Sequence, residues 1–251
     1  MAEILCDIDH GVMRLRLNRP EKKNALTRAM YTELTARLDA ASGDDAVRAV
    51  VISAEGGDFS AGNDILDFAQ GAAELQAADI GAIPVFRFLK ALTFFEKPLI
   101  AAVRGQAVGV GVTMLLHCDL VVVADDVRLS LPFLKLGLVP EAGSTLLLPR
   151  RIGHQRAFAW MALGEVIGAD DAKTLGLVNR VVAAGDVEAA AGEMAAKVSR
   201  LPPTALKHTK AFLRDADDVW EVIKAEGEVF RKLLTSPEAM AAFSAFMTKA
   251  G

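Results

Sequence analysis

The chain reads as an α/β protein whose last quarter is helical, and three observations predict this. Apolar runs of strand length, among them Val47–Ser53, Leu99–Val103 and Leu120–Ala124, alternate with helically spaced stretches over residues 1–186, the order that builds a largely parallel sheet. Two of these runs open directly into glycine-bearing loops, Gly56–Ile65 and Gly105–Gly111. After Val187 strand patterns stop, and four helical patterns follow: Val187–Ser199, Pro203–Arg214, Val219–Leu234 and Pro237–Lys249. A mixed core over 1–186 and a helical domain over 187–251 are therefore expected.

Taken in order, Ile4–Asp9 and Val12–Leu17 flank His10-Gly11 as a hairpin. Thr27 is a helix cap, and Met30, Leu34 and Leu38 recur at helical spacing. Asp64–Gln70 is helical. Gly71–Pro84 is Ala-rich with few large apolar anchors, and a mobile segment is expected there. Val85–Phe95 is an amphipathic helix stopped by Lys97-Pro98. The apolar stretch Val112–Cys118 reads as a buried helix, Val127–Leu131 as a short strand, and Gly176–Val182 as a turn into an edge strand. Helices are expected over Thr145–Arg151, Gln155–Leu163 and Ala169–Leu175.

With 251 residues the chain is long enough to bury a full core. A net charge of −4 leaves no electrostatic footprint for nucleic acid or an anionic membrane surface. Cys6 and Cys118 do not make a disulfide framework, no leader pattern precedes the first strand, and no run is long enough to span a bilayer, so a reducing, cytoplasmic setting is expected. His10, His117, His154 and His208 are scattered without ligand spacing, and no metal is expected.

A glycine loop between a strand and a helix suits a phosphate, a dinucleotide or an oxyanion. The phosphate loop is excluded because no Gly-Lys-Ser/Thr follows the glycines. Gly109-Val110-Gly111, with Asp125 and Asp126 closing the next strand, comes nearer to a dinucleotide fingerprint, but Met114 stands at the third glycine position. Neither that fingerprint nor tight helix–sheet packing accounts for the second loop upstream.

Together with Leu17–Leu26, the loops Gly56–Ile65 and Gly105–Gly111 strongly resemble the crotonase (enoyl-CoA hydratase/isomerase) superfamily, in order and spacing, from about Leu15 to about Lys249. The resemblance implies a ββα spiral core with a C-terminal helical trimerisation domain. It also implies a homo-oligomer, trimer or hexamer, and an acyl-CoA substrate with no tightly bound cofactor beyond the coenzyme A of that substrate. The thioester oxygen would lie between the backbone amides of Asn63 and Val110, because the reactions of the family pass through an enolate. Asn63 is equally a residue type suited to a left-handed turn. Lys22–Leu26 and Ser60–Ile65 would border the CoA moiety, which places Lys23, Asn24, Ala25, Ser60, Ala61, Gly62, Asp64 and Ile65 at the substrate, with Gly109 beside the oxyanion. Lys22, Lys23 or Arg19 would meet phosphates, although a lysine pair in a polar loop is equally a solvated surface.

Two departures from the family pattern bear on activity. Hydratases of this family place two glutamates in the pocket; here those positions are Thr113 and Phe133. Glu141, in Leu136–Thr145, resembles the single glutamate of the isomerase branch, and its apolar neighbours would raise its pKa toward neutrality. Glu141 is also a plausible helix-start residue. The expected activity is a Δ3,Δ2-enoyl-CoA isomerase; another crotonase reaction such as hydration, or CoA binding without turnover, remains open.

Overall fold

The computed structural model describes residues 2–70 and 79–250. β1 (Ile4–Asp9) and β2 (Val12–Leu17) pair antiparallel around His10 and Gly11, both at positive φ (47° and 80°), as a two-residue hairpin loop requires. α1 (Arg28–Gly43) starts on Thr27, whose hydroxyl accepts from the Met30 amide at 3.2 Å. Then come β3 (Ala49–Ala54), α2 (Ile65–Gln70), α3 (Pro84–Phe94), β4 (Leu99–Val103), β5 (Gln106–Val108), α4 (Val110–Thr113), β6 (Leu120–Ala124) and β7 (Arg128–Ser130). The remainder is α5 (Ser144–Ile152), α6 (His154–Leu163), β8 (Val166–Ile167), α7 (Ala169–Thr174), β9 (Arg180–Val182), α8 (Val187–Ser199), α9 (Pro203–Leu213), α10 (Ala216–Leu234) and α11 (Pro237–Ala250).

One sheet has the order β1-β2-β3-β4-β6-β9, parallel after its first pair, and β5, β7 and β8 form a second. Because β4 runs on to β5 and β6 to β7, successive passes of the chain visit both sheets. Alternate residues of a strand face opposite ways, and here both faces are covered. Val50, Ile52, Ala101, Val103, Val121 and Val123 join the α1 and α3 side chains in one apolar cluster. Val51, Ile100, Ala102 and Val122 join a second, built with Val187, Ala190, Ala191 and Ala195 of α8. Helix α8, which the strand–helix pattern groups with the C-terminal domain, is thus the cover of the sheet's second face.

The later helices divide in two. α9 buries none of its side chains and leaves Phe212 and Leu213 88% and 82% exposed. α10 instead docks along Val219, Ile223, Gly227 and Phe230. At Gly227 a Cβ would sit 2.5 Å from the Phe86 ring, so only glycine allows α10 to approach α3 this closely.

Three local readings change. The helix expected over Val112–Cys118 is a single α-turn, Val110–Thr113, followed by a 3₁₀ turn, Met114–His117. Every side chain from Val110 to Cys118 is buried, so no polar stripe marks the period, and a 3₁₀ turn covers more length per residue toward Asp119, which is bonded to Leu99 through both its amide and its carboxylate. Gln106–Val108, read as part of a turn, is a strand, and the two-residue β8 carries too little pattern to be read. Of the segment expected to be mobile, 71–78 lies outside the described residues, while Ile80 and Ile83 are buried.

Candidate active site

The two glycine loops are joined main chain to main chain. The Phe59 amide donates to the Arg104 carbonyl (2.9 Å), Ser60 to Gln106 (3.0 Å) and Val108 to Ser60 (2.9 Å). The approach is so close that a Cβ on Gly105 (φ 59°) would lie 2.0 Å from the Gly57 oxygen. Asn63 is held in a parallel bridge with Leu26, whose amide donates to the Gly62 carbonyl at 2.7 Å. On the second loop the Gly109 amide donates to Ser130, and the Val112 and Thr113 amides both donate to the Gly109 carbonyl.

This leaves over the amides of Asn63 and Val110. Among the described residues neither has an acceptor. Both residues line one cavity of about 120 Å³, whose walls include Phe133, Leu138, Phe230 and Phe243. Two unpaired N–H groups at an apolar space are what a developing oxyanion needs. Larger hollows border α9, but none of them is lined by Asn63, Val110 or Glu141. The left-handed turn read at Asn63 falls one residue earlier, at Gly62 (φ 91°), and Asn63 does not have positive φ. Its side-chain oxygen instead accepts from the buried Tyr31 hydroxyl at 2.5 Å. Burial, with the charges of Glu141 and Asp67, holds the Tyr31 pKa well above 10, so the phenol stays a donor.

Glu141 is 5% exposed. Its Oε1 accepts from the Thr113 hydroxyl at 2.7 Å, and among the described residues no donor reaches Oε2. Burial pushes its pKa up from 4.5 to about 7; the Thr113 hydrogen bond opposes this and the nearby Glu226 charge adds to it. Thr113 lies one turn beyond Val110. Neither Glu141 nor Thr113 lines the 120 Å³ space, whereas Leu138 and Phe133 do. The loop then turns sharply through Ala142 (φ 65°) and Gly143 (φ 70°). The Ala142 carbonyl faces His117 Nε2 at 2.8 Å, and because burial lowers the His117 pKa to about 3, the neutral ring donates this bond.

The other expected site residues separate into wall and scaffold. Ala61, Gly62, Ile65, Gly109 and Phe133 line the cavity. Asn24 is fully buried: its Oδ1 accepts from the Arg19 amide and its Nδ2 donates to the Glu55 and Asp58 carbonyls, so it ties the Leu17–Leu26 segment to the first glycine loop. Ser60 is buried as well, its hydroxyl donating to the Asn24 carbonyl and accepting from the Gly62 amide. Asp64 caps α2 through the Leu66 and Asp67 amides and pairs with Arg19 at 2.7 Å. Arg19 also meets Glu3 and the Ala25 carbonyl, so it is not a free cation for phosphate. Lys22 and Lys23 are exposed, and Lys23 stands 3.8 Å from Asp58.

Sequence reading missed Tyr31, Phe230, Phe243, His117 and Glu226. Tyr31 is the one tyrosine in the chain. Glu226 carried a signal: it is a carboxylate in the apolar stripe Val219, Ile223, Gly227, Phe230, where solvent cannot be its partner.

Comparison with known proteins adds the family. The model of the enoyl-CoA hydratase/isomerase family matches residues 7–250. The chain belongs to the enoyl-CoA hydratase/isomerase family. Among curated proteins it is 34% identical over 251 residues to 2,3-dehydroadipyl-CoA hydratase of Escherichia coli (strain K12), covering 99% of this chain and 97% of that one. It is 32% identical over 249 residues to enoyl-CoA delta isomerase 2 of Rattus norvegicus, covering 98% of this chain and 63% of that protein. A crystal structure of an enoyl-CoA hydratase/isomerase from Pseudoalteromonas atlantica T6c superposes with a TM-score of 0.92 at 38% identity, covering 99% and 98% of the two chains. The chain is thus an acyl-CoA enzyme with the crotonase fold. Its relatives carry the names of hydratases and of isomerases, so family membership leaves the reaction to be argued from the site.

Proposed function

We propose that this chain is a Δ3,Δ2-enoyl-CoA isomerase with Glu141 as its single acid and base. The observation that carries this is a buried carboxyl whose pKa is pushed up to about 7, with one oxygen bonded to Thr113, a residue one helical turn beyond Val110, and the other without a donor among the described residues, while no carboxylate is among the described residues that line the cavity. The thioester oxygen of a 3-enoyl-CoA accepts from the Asn63 and Val110 amides. Ionised Glu141 removes a proton from C2; the electron pair moves into a dienolate whose charge rests on that oxygen; neutral Glu141 returns the proton at C4, leaving the double bond between C2 and C3. A pKa near 7 suits a group that must both take and return a proton. One donor of an oxyanion hole is worth about 10²–10³ in rate.

Thr113 and Phe133 support the same reading. They stand at the two places where the family resemblance puts hydratase glutamates, and Thr113 spends its hydroxyl on Glu141. No acid is left there to deliver water. Coenzyme A enters only as part of the substrate, with Lys22 and Lys23 the exposed cations near the loops for its phosphates. Replacing Glu141 by Gln keeps size and the Thr113 bond but removes the base. Isomerisation of a 3-enoyl-CoA should fall by about 10² or more, with ligand affinity little changed. Parental rates from Glu141→Gln, or Glu141-dependent hydration of a 2-enoyl-CoA as the faster reaction, would overturn the proposal in favour of another base or of a hydratase.

A further inference from the structure

Glu226 is a buried carboxylate that the reaction above does not use. It sits on α10, and both its oxygens are turned onto the loop that follows Glu141. Oε2 accepts from the Gly143 amide at 2.6 Å; Oε1 accepts from the Thr145 amide at 2.9 Å and from the Thr145 hydroxyl at 2.6 Å. Gly143 and Thr145 open α5, which has no capping side chain of its own at Gly143. Glu226 therefore serves as that helix's cap from a distant segment, supplying an acceptor where the first-turn amides lack one. The docking is tight on both sides of it. A Cβ on Gly143 would lie 3.1 Å from Val219 and 3.4 Å from Ile223, and one on Gly227 would lie 2.5 Å from the Phe86 ring. Burial pushes the Glu226 pKa up, and the three donors that point at its carboxyl, with no acceptor among them, oppose this by favouring the ionised form.

We propose that Glu226 is a positioning residue for Glu141: its carboxylate, bonded to the Gly143 and Thr145 amides and to the Thr145 hydroxyl, clamps the loop that carries Glu141. The inference rests on the isomerase reading of Glu141. The groups around Glu141 make Glu226 the charge that matters. Thr113 from α4 is neutral and donates; Tyr31 from α1 is a neutral phenol engaged with Asn63, with Asp67 of α2 beyond it; and His117 from the 3₁₀ turn is neutral and engaged with Ala142. On α10 itself, Asp218 is paired with Arg150 at 2.9 Å, and Lys224 with Glu221 at 2.7 Å. Desolvation alone would raise the Glu141 pKa. The like charge of Glu226 raises it further, and the clamp fixes where the carboxyl points.

The test is the Glu226→Gln variant, read two ways. The first is a titration of the Glu141 carboxyl by ¹³C NMR, assigned by its loss in Glu141→Gln and independent of any turnover. The second is the pH dependence of kcat on a 3-enoyl-CoA. Removing the charge should move the Glu141 inflection to lower pH in both, and loosening the loop should lower kcat by about 10-fold to 10²-fold, the scale set by an ångström of misplacement, with KM little changed. An inflection that stays in place, with kcat at the parental level, overturns the inference while leaving Glu141 as the base. A parent that does not isomerise overturns the isomerase reading instead, and the NMR titration still decides the charge effect. Where Glu226→Gln does not fold, Thr145→Val decides, since it removes one bond to Glu226 and keeps the charge. A lower kcat without a downward move of the inflection supports the clamp, and an unchanged kcat, or an inflection that falls, contradicts it.

Discussion

The Asn63 and Val110 amides are held by main-chain hydrogen bonds between loops that lie side by side, with glycine at the points of closest approach. Glu141 is held differently: by a hydroxyl from α4, an imidazole against the next carbonyl, and a carboxylate from α10 near the far end of the chain. The first region is fixed by backbone bonds, by the glycines at its closest approach and by the buried Asn24 and Ser60 side chains. The second is positioned by side chains, and one of them carries charge. In the mechanism we propose, charge stabilisation belongs to the region built from backbone, and proton transfer to the region whose environment can be tuned by substitution.

The largest expected effect separates the two by chemistry at Val110. Proline there removes the N–H, alanine keeps it, and the oxyanion argument expects turnover of Val110→Pro to lie about 10²–10³ below that of Val110→Ala, with circular dichroism to confirm that both fold. Equal rates would mean that this amide does not face the oxygen.

A smaller effect sharpens the comparison through stability. Glu141 binds its proton more tightly folded than unfolded, so between about pH 4.5 and about pH 7 the native state holds a proton the unfolded state has released. The stability it contributes is complete below pH 4.5 and is lost as pH rises through 7. The shift from 4.5 to about 7 is equivalent to roughly 3 kcal/mol at full effect. Glu141→Gln should then unfold at a higher temperature than the parent at pH 8 and at the same temperature at pH 4. A variant no more stable at pH 8 would show that the carboxyl is not held in an ion-unfriendly site.

What the sequence makes legible follows the same division. Continuous apolar runs such as the one within Val47–Ser53, the Thr27 cap and the His10-Gly11 turn are local signals and give the sheet and its first helix. The spaced glycines of Gly56–Ile65 and Gly105–Gly111 mark the amide pair because close approach of two backbones leaves a trace in composition. Glu141 is legible through its apolar neighbours. Its holders are not, because Thr113 and His117 come from one stretch of the chain and Glu226 from another far away, and no local pattern pairs them with Glu141. The side chains of Asn24 and Asp64, polar residues in loops expected to border the substrate, make hydrogen bonds within the protein: Asn24 to the Glu55 and Asp58 carbonyls, Asp64 to the first amides of α2 and to Arg19.

The most direct test of a single shuttling carboxyl follows the proton itself. A 3-enoyl-CoA deuterated at C2 is converted by the parent enzyme in ordinary water under single-turnover conditions, and deuterium at C4 of the product is measured by NMR. One shielded carboxyl that takes the label from C2 and returns it to C4 leaves part of it there, well above the solvent background. A product free of deuterium at C4 contradicts the single-base mechanism, and with it the role given to Glu141.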